Sequence, residues 1–329
     1  MQRVLVLGGD EYIGGRVLLA LAASDWARPI ADLTGAKCAR HADIEAVSFD
    51  ATNPASLSSA LSGVDAVVNC LSGRPSVIAA AASALFGTAA RCTEPPLIVH
   101  ISSMSVYGAA VGDISEDAPL HESLGSYARA KVEAERLAVN YARKVILRPG
   151  CEYGPGGELW SGRVAKWLLG RRIGDLGAGG DGYCNLVHID DLVAAAMLSL
   201  RQPAAVGRIF NLGMPDPPTW NEYFARYAKA LGAVPMKRIS RRWLSLETKV
   251  LAVPLKVLEI AAQRVGVVPF LPPPIPPSLL LLARQEIRLD STRARRVLGW
   301  ECRALDQGLT ETAAWFAKAR STQFRAGLQ

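Results

Sequence analysis

The sequence has no Cys-x-x-Cys pair, no cysteine and histidine at zinc spacing, no internal repeat and no long block of like charge. It also lacks an apolar run of the roughly 18 residues that a membrane-crossing helix requires. Each absence excludes something. The six cysteines (Cys38, Cys70, Cys92, Cys151, Cys184 and Cys302) make neither a disulfide framework nor a structural zinc site, and read as reduced thiols in a cytoplasmic protein. Of the four histidines, His41, His100 and His121 have no sequence neighbours that suggest ligation, so no metal is expected. The net charge of +7 is scattered apart from Lys237, Arg238, Arg241 and Arg242; that pattern fits a solvated surface, and no nucleic-acid partner is expected. The chain passes at once into a strand at Val4 to Leu7 with no leader-like segment before it, so no signal peptide is expected.

What is present is a core. Half of the 329 residues are hydrophobic, enough to fold one large or two modest domains. Short apolar runs at Arg3 to Leu7, Ile30 to Leu33, Val47 to Phe49, Ala66 to Cys70, Leu97 to Ser102 and Lys144 to Leu147 read as strands. Helical periodicity fills Tyr12 to Ala23, Pro54 to Leu61, Ser76 to Arg91 and Ser126 to Arg143 between them. Apolar strands alternating with helices predict an α/β fold built on a doubly wound parallel sheet. After Arg148 the texture changes to Gly- and Pro-rich segments. Val187 to Leu200 and Arg208 to Leu212 read as a return to the sheet, and the chain from Pro215 on as mostly helical, interrupted by a rigid proline loop at Pro269 to Pro277. The expected division is 1–149 with about 186–212 as a dinucleotide-binding domain, and 150–185 with 213–329 as a smaller, mostly helical substrate domain.

The first strand ends in Gly8-Gly9-Asp10-Glu11-Tyr12-Ile13-Gly14 and opens a helix. That is the setting of a phosphate-binding turn, in which glycines allow a tight turn and close packing and the helix N-terminus faces a pyrophosphate. Asp32, closing the second strand, is placed to accept from a ribose hydroxyl. Asp50, with Ala51 beside it, closes the third strand and is placed for the adenine edge. Gly8, Glu11, Tyr12, Ile13, Gly14, Asp32, Asp50, Ala51 and Leu71 are therefore the expected cofactor contacts, and NAD the expected cofactor. NADP is the alternative, because Lys37 and Arg40 lie close to Asp32 in sequence. Glu11 stands where such turns carry their middle glycine. A carboxylate about 4 Å from one phosphate charge would cost on the order of 4 kcal/mol at an effective dielectric of 20, so its side chain is expected to turn out to solvent.

Tyr127 and Lys131 have Tyr-x-x-x-Lys spacing, which puts them one helical turn apart on the same face. An ammonium about 4 Å from a tyrosine hydroxyl supplies roughly the 4 kcal/mol needed to bring its pKa from about 10 to about 7. Ser103, on the loop leaving the fifth strand, is placed to hold the same substrate oxygen. Ser103, Tyr127 and Lys131 are the candidate catalytic groups for hydride exchange between an alcohol or ketone and a nicotinamide. Ser102 and Ser105 read instead as turn or cap serines.

These motifs resemble the extended short-chain dehydrogenase/reductases, the NAD-dependent epimerase/dehydratase family, over nearly the whole chain. The resemblance rests on VLVLGGDEYIGG at the start, ISSMSVYG at Ile101 to Gly108, YARAK at Tyr127 to Lys131 and LRPGCEYGPG at Leu147 to Gly156. It continues through LVHIDDLVAA at Leu186 to Ala195 and LDSTRARRVLGW at Leu289 to Trp300. It implies a Rossmann fold, a polarising role for Ser103, acid/base work for Tyr127 and a second role for Lys131 on the nicotinamide ribose. It also implies a homodimer built from the helices Ser76 to Arg91 and Ser126 to Arg143, the first dense in alanine. Cys151 stands where sugar-nucleotide members carry asparagine, which brings the chain nearer the 3β-hydroxysteroid dehydrogenase-like and dihydroflavonol reductase-like branch.

The expected activity is thus oxidoreduction of a secondary alcohol or ketone on a small, hydrophobic molecule. The alternatives are a nucleotide-sugar epimerase or dehydratase, and a non-catalytic dinucleotide-binding protein with a degenerate glycine turn. The apolar stretch 241–282 reads either as core of the second domain or as a cover for an apolar substrate and a peripheral membrane contact. His188, in Val-His-Ile-Asp-Asp, reads as a structural residue near a helix start.

Overall fold

The computed structural model describes residues 1–32, 44–251, 254, 255, 257, 258, 261 and 273–326. Leu33, Lys37, Cys38, Arg40 and His41, residues 269–272 of the proline loop and much of 252–268 lie outside the described residues. The chain divides into two compact units. One comprises Met1–Gly150, Ile189–Pro215 and Leu289–Cys302; the other comprises Cys151–His188, Asp216–Arg288 and Arg303–Gln329. The segment Leu289–Cys302 packs with the first unit, a return that the sequence reading placed in the second.

The first unit holds β1 (Gln2–Leu7), α1 (Tyr12–Ala22), β2 (Ala27–Asp32), β3 (Glu45–Val47), α2 (Pro54–Ala60), β4 (Ala66–Asn69), α3 (Pro75–Ala89), β5 (Leu97–Ile101), β6 (Gly112–Ile114), α4 (Ser126–Ala138) and β7 (Lys144–Pro149). Past β8 (Cys151–Tyr153) and β9 (Leu186–His188) of the second unit, it resumes with a helix at Ile189–Arg201 and β10 (Ile209–Leu212). Seven strands form one sheet in the order β10-β7-β5-β4-β1-β2-β3, and every registered pair in it is parallel. Val4 to Leu7 and Ile98 to Val99 are wholly buried, as strands covered by helices on both faces must be. From β1 the chain builds outward to β2 and β3 on one side, then returns to lay β4, β5, β7 and β10 on the other. The reversal falls between β1 and β4, and ligands of such sheets bind outside the carboxyl ends of the strands at that point.

Helix boundaries follow local chemistry. Asn53 accepts from the Ala55 and Ser56 amides at the start of α2, with Pro54 in its first turn. Helix α4 stops at Ala138 rather than running to Arg143. There Lys144 Nζ donates to the Val139 and Tyr141 carbonyls at 2.8 and 3.0 Å, satisfying backbone acceptors that the helix end leaves open. The Tyr141 side chain is buried in the core. The third strand sits two residues earlier than the sequence suggests, at Glu45–Val47, which frees Phe49 to enter the core.

In the second unit β8 pairs in parallel with β9. Trp220, Tyr223, Phe224 and Tyr227 of the helix Trp220–Ala230 form an aromatic core with Trp160. Thr219 and Glu222 close the start of that helix in a reciprocal capping box. In the apolar stretch, Leu244, Ile275 and Leu279 are buried, whereas Trp243, Leu246, Val250, Val257, Leu258 and Leu281 are exposed. Among the described residues no helix is long and apolar enough to cross a membrane.

Candidate active site

The glycine turn leaves β1 at Gly8, whose φ of +76° favours glycine. A Cβ there would lie 3.2 Å from the Leu71 amide nitrogen, so the turn abuts the loop that leaves β4. At Gly14 an added Cβ would fall 2.1 Å from the Gly8 carbonyl oxygen; no side chain fits. Tyr12 and Ile13 begin α1, and no side chain caps that helix. Asp32 is buried at the end of β2.

Glu11 corrects one expectation and removes one concern. Its φ and ψ are −79° and 163°, extended backbone open to any residue, so glycine is not required there for conformational reasons. The side chain does not turn out to solvent. Its carboxylate accepts from the Ser72 amide at 3.0 Å and from the Ser72 hydroxyl. The loop after β4 supplies two donors, and the half-buried carboxylate takes them.

Asp50 is exposed and its carboxylate closes a local turn, accepting from the Thr52 amide at 2.8 Å and hydroxyl at 2.7 Å. Those bonds hold its carboxyl below the usual carboxylate range. Ala51 beside it is buried. Both lie at the end of β3, away from the contacts that join Gly8, Glu11, Leu71 and Lys131.

The catalytic candidates sit at the ends of β5 and α4. Ser103 caps a short 3-10 turn at Met104–Tyr107, its hydroxyl accepting from the Ser105 amide. Tyr127 is 39% exposed, whereas Lys131 is 2% exposed; the tyrosine faces outward with the ammonium beneath it, 5.9 Å from its ring centroid. Lys131 Nζ donates to the Ile101 carbonyl at 2.8 Å and the Leu71 carbonyl at 3.3 Å. The lysine therefore ties the end of β5 to the loop after β4.

Sequence reasoning missed the supports of this arrangement. Asn69 donates from Nδ2 to His100 Nδ1 at 3.1 Å and accepts from the Leu71 amide at 3.2 Å, which fixes the loop that Lys131 and Glu11 both grip. Burial, then the Lys131 charge, pushes the His100 imidazole down to about 3. A neutral ring accepting at Nδ1 carries its proton on Nε2. Burial, with the Glu11 charge, pushes the Cys70 thiol up to about 12, so it stays protonated and inert.

Behind the trio lies a buried polar network. Arg148 grips both carboxylate oxygens of Glu135, at 2.6 to 3.2 Å, and donates to the Tyr107 hydroxyl at 2.7 Å. The Ser102 hydroxyl donates to Glu135 at 2.5 Å, and the Tyr107 hydroxyl donates to Asn211 at 2.6 Å. Burial pushes the Tyr107 hydroxyl up to about 12, so it remains a donor. Glu135 was readable, because it lies one turn beyond Lys131 on the Tyr127 face of α4. Ser72 was not readable, because nothing local announces that it meets Glu11. In the second unit His188 is buried, edge-on to Tyr153 at 5.2 Å and 3.7 Å from the Glu311 carboxylate.

A parallel sheet reversing between β1 and β4, with a glycine turn at that point and a buried acid ending β2, defines a dinucleotide-binding Rossmann unit. The turn, the uncapped first turn of α1 and Asp32 fit the group, with Glu11 as the one departure. The model of the NAD dependent epimerase/dehydratase family matches residues 4–213, and the chain belongs to that family. Protein YeeZ of Escherichia coli (strain K12) is 32% identical over 145 residues, 43% of this chain and 48% of that protein; the chain thus spans about half the length of this relative. The UDP-glucose 4-epimerase of Mycolicibacterium smegmatis is 31% identical over 245 residues, 69% of this chain and 64% of that protein. The 2'-dehydrokanamycin reductase of Streptomyces kanamyceticus is 27% identical over 243 residues, 70% of this chain and 67% of that protein. Among solved structures, dTDP-glucose 4,6-dehydratase of Bacillus anthracis, in complex with NAD, shares the fold with a TM-score of 0.73 at 18% identity, covering 97% of each chain. RMD of Pseudomonas aeruginosa, complexed with NADPH, does so with a TM-score of 0.66 at 17% identity, covering 96% of this chain and 99% of that one.

Proposed function

We propose that this protein is an NAD(P)-dependent oxidoreductase that interconverts a secondary alcohol and a ketone on a small, hydrophobic molecule. The observation that carries the reading is the outward-facing Tyr127 above a buried Lys131 whose ammonium is fixed on two carbonyls. The nicotinamide, when bound, supplies or takes the hydride. Lys131 favours the tyrosinate by charge. Tyr127 then takes the alcohol proton during oxidation or returns it during reduction, while the Ser103 hydroxyl holds the same oxygen. Gly8 and Gly14, with the Tyr12 and Ile13 start of α1, would hold the pyrophosphate. Asp32 would hold the adenosine ribose, Asp50 and Ala51 the adenine edge, and Lys131 the nicotinamide ribose.

Asp32 favours NAD, because its charge repels a 2′-phosphate. The family helices α3 and α4 would form the dimer; on α3, Ala80, Ser83 and Gly87 are exposed at the three- and four-residue spacing of one face. The described cysteines are free thiols, which suits a cytoplasmic setting. Titration of NADH against NADPH, with light scattering on the same sample, checks preference and dimer together; tighter NADPH binding or a micromolar monomer refutes them.

Incubation with NAD and a panel of secondary alcohols should release NADH, and Tyr127→Phe should lower that rate more than tenfold while cofactor affinity stays within a few fold. A variant that keeps more than a tenth of the rate removes Tyr127 from the mechanism. The second reading, nucleotide-sugar epimerisation or dehydration, is favoured by the likeness to the mycobacterial epimerase. There the hydride returns to its substrate, so sugar conversion without accumulated NADH would select it. Cofactor binding without any turnover would select a non-catalytic role.

A further inference from the structure

We propose that Glu11 and Ser72 form a latch across the cofactor crevice, one that a dinucleotide must open in order to bind. Glu11 follows β1 and Ser72 follows β4, the neighbouring strands between which the sheet reverses. A bond between their side chains therefore spans the crevice in which such sheets bind their ligands.

The bond is not incidental to folding of the turn. Glu11 is the residue before α1, yet its carboxylate leaves that helix uncapped and takes the Ser72 amide and hydroxyl instead. Among the described residues no cation pairs with it. Two donors on the β4 loop thus hold an internal anion at the mouth of a crevice whose usual occupant carries a pyrophosphate. The incoming anion and the resident one compete for the same space and the same sign of field. The loop that bears Ser72 is itself well held, by Asn69 at the Leu71 amide and by Lys131 at the Leu71 carbonyl. With the loop side so held, the half of the latch that would have to move is the Glu11 side chain, whose bonds are to Ser72.

The inference rests on the dinucleotide reading of this crevice, but it does not need turnover. ADP-ribose, which has the pyrophosphate and lacks the nicotinamide, is the probe for calorimetry; NADH fluorescence in stopped flow gives the association rate. Removing one hydrogen bond to a charged group shifts an equilibrium by about tenfold. Ser72→Ala should therefore tighten ADP-ribose about tenfold and speed NADH association, and Glu11→Gly should tighten ADP-ribose about a hundredfold. The double variant should bind no more tightly than Glu11→Gly alone, because one latch is opened in both. Unchanged or weaker binding by Ser72→Ala overturns the latch. So does an equal gain from Ser72→Ala when Glu11 has already been replaced. If the native protein and every variant fail to bind either ligand, the latch and the dinucleotide reading fall together. If the native protein binds as tightly as Ser72→Ala, only the latch falls.

Discussion

Two glutamate–serine pairs lie in the same unit of this protein, and their surroundings make them opposites. Glu135 accepts from Ser102, is 3% exposed, and is gripped by Arg148 through two guanidinium nitrogens. Glu11 accepts from Ser72, is half-buried, and has no cation beside it among the described residues. The first pair cannot part without stranding a charge in the interior. The second can exchange its serine for water at small cost. A carboxylate and a hydroxyl therefore make a girder or a latch according to burial and the presence of a cation.

The comparison is sharpened most by Arg148→Met. Removing one partner of a buried ion pair costs about 3–5 kcal/mol, and the loss should appear as a large drop in the denaturation midpoint. A fall of less than about 1 kcal/mol would mean that the buried network is not a girder. The next effect is acid sensitivity at His100, which adjoins Asn69 below the latch loop. Its native pKa lies near 3 against an ordinary 6.5, so the fold holds it neutral. Below about pH 6.5 the unfolded chain takes up a proton that the native state refuses, and stability falls until about pH 3. That one group contributes a slope of about 1.4 kcal/mol per pH unit across the window. Urea melts at pH 7 and pH 5 should show a smaller loss for His100→Gln than for the native protein, and equal losses refute the assignment. The smallest effect belongs to Ser72→Ala, which should lower stability by only about 1.4 kcal/mol, the equivalent of the tenfold gain it gives in ligand affinity. Destabilisation as large as that of Arg148→Met would erase the distinction between the two pairs.

Much of this was legible in the chain. Apolar runs such as Val4 to Leu7 and Ile98 to Val99 mark buried parallel strands because both faces are covered. Tyr127, Lys131 and Glu135 share a helix face because four residues make about one turn. The end of α4 was misplaced because Lys144 bonding back to the Val139 and Tyr141 carbonyls is a tertiary detail with no periodic signature. The direction of Glu11 was illegible for a different reason. Ser72 lies 61 residues away in sequence and meets it only because β4 is laid beside β1. The packing of Leu289–Cys302 with the first unit has the same origin: a long return leaves no local mark.

The glycine turn carries a further lesson about inheritance. At Gly8 the backbone has positive φ, and at Gly14 a carbonyl occupies the place of any Cβ; a lineage that alters either loses the turn itself. At position 11 the backbone is extended, so mutation there meets no steric veto. If the latch holds, the residue at position 11 sets ligand affinity while the geometry that Gly8 and Gly14 impose on the turn stays as it is.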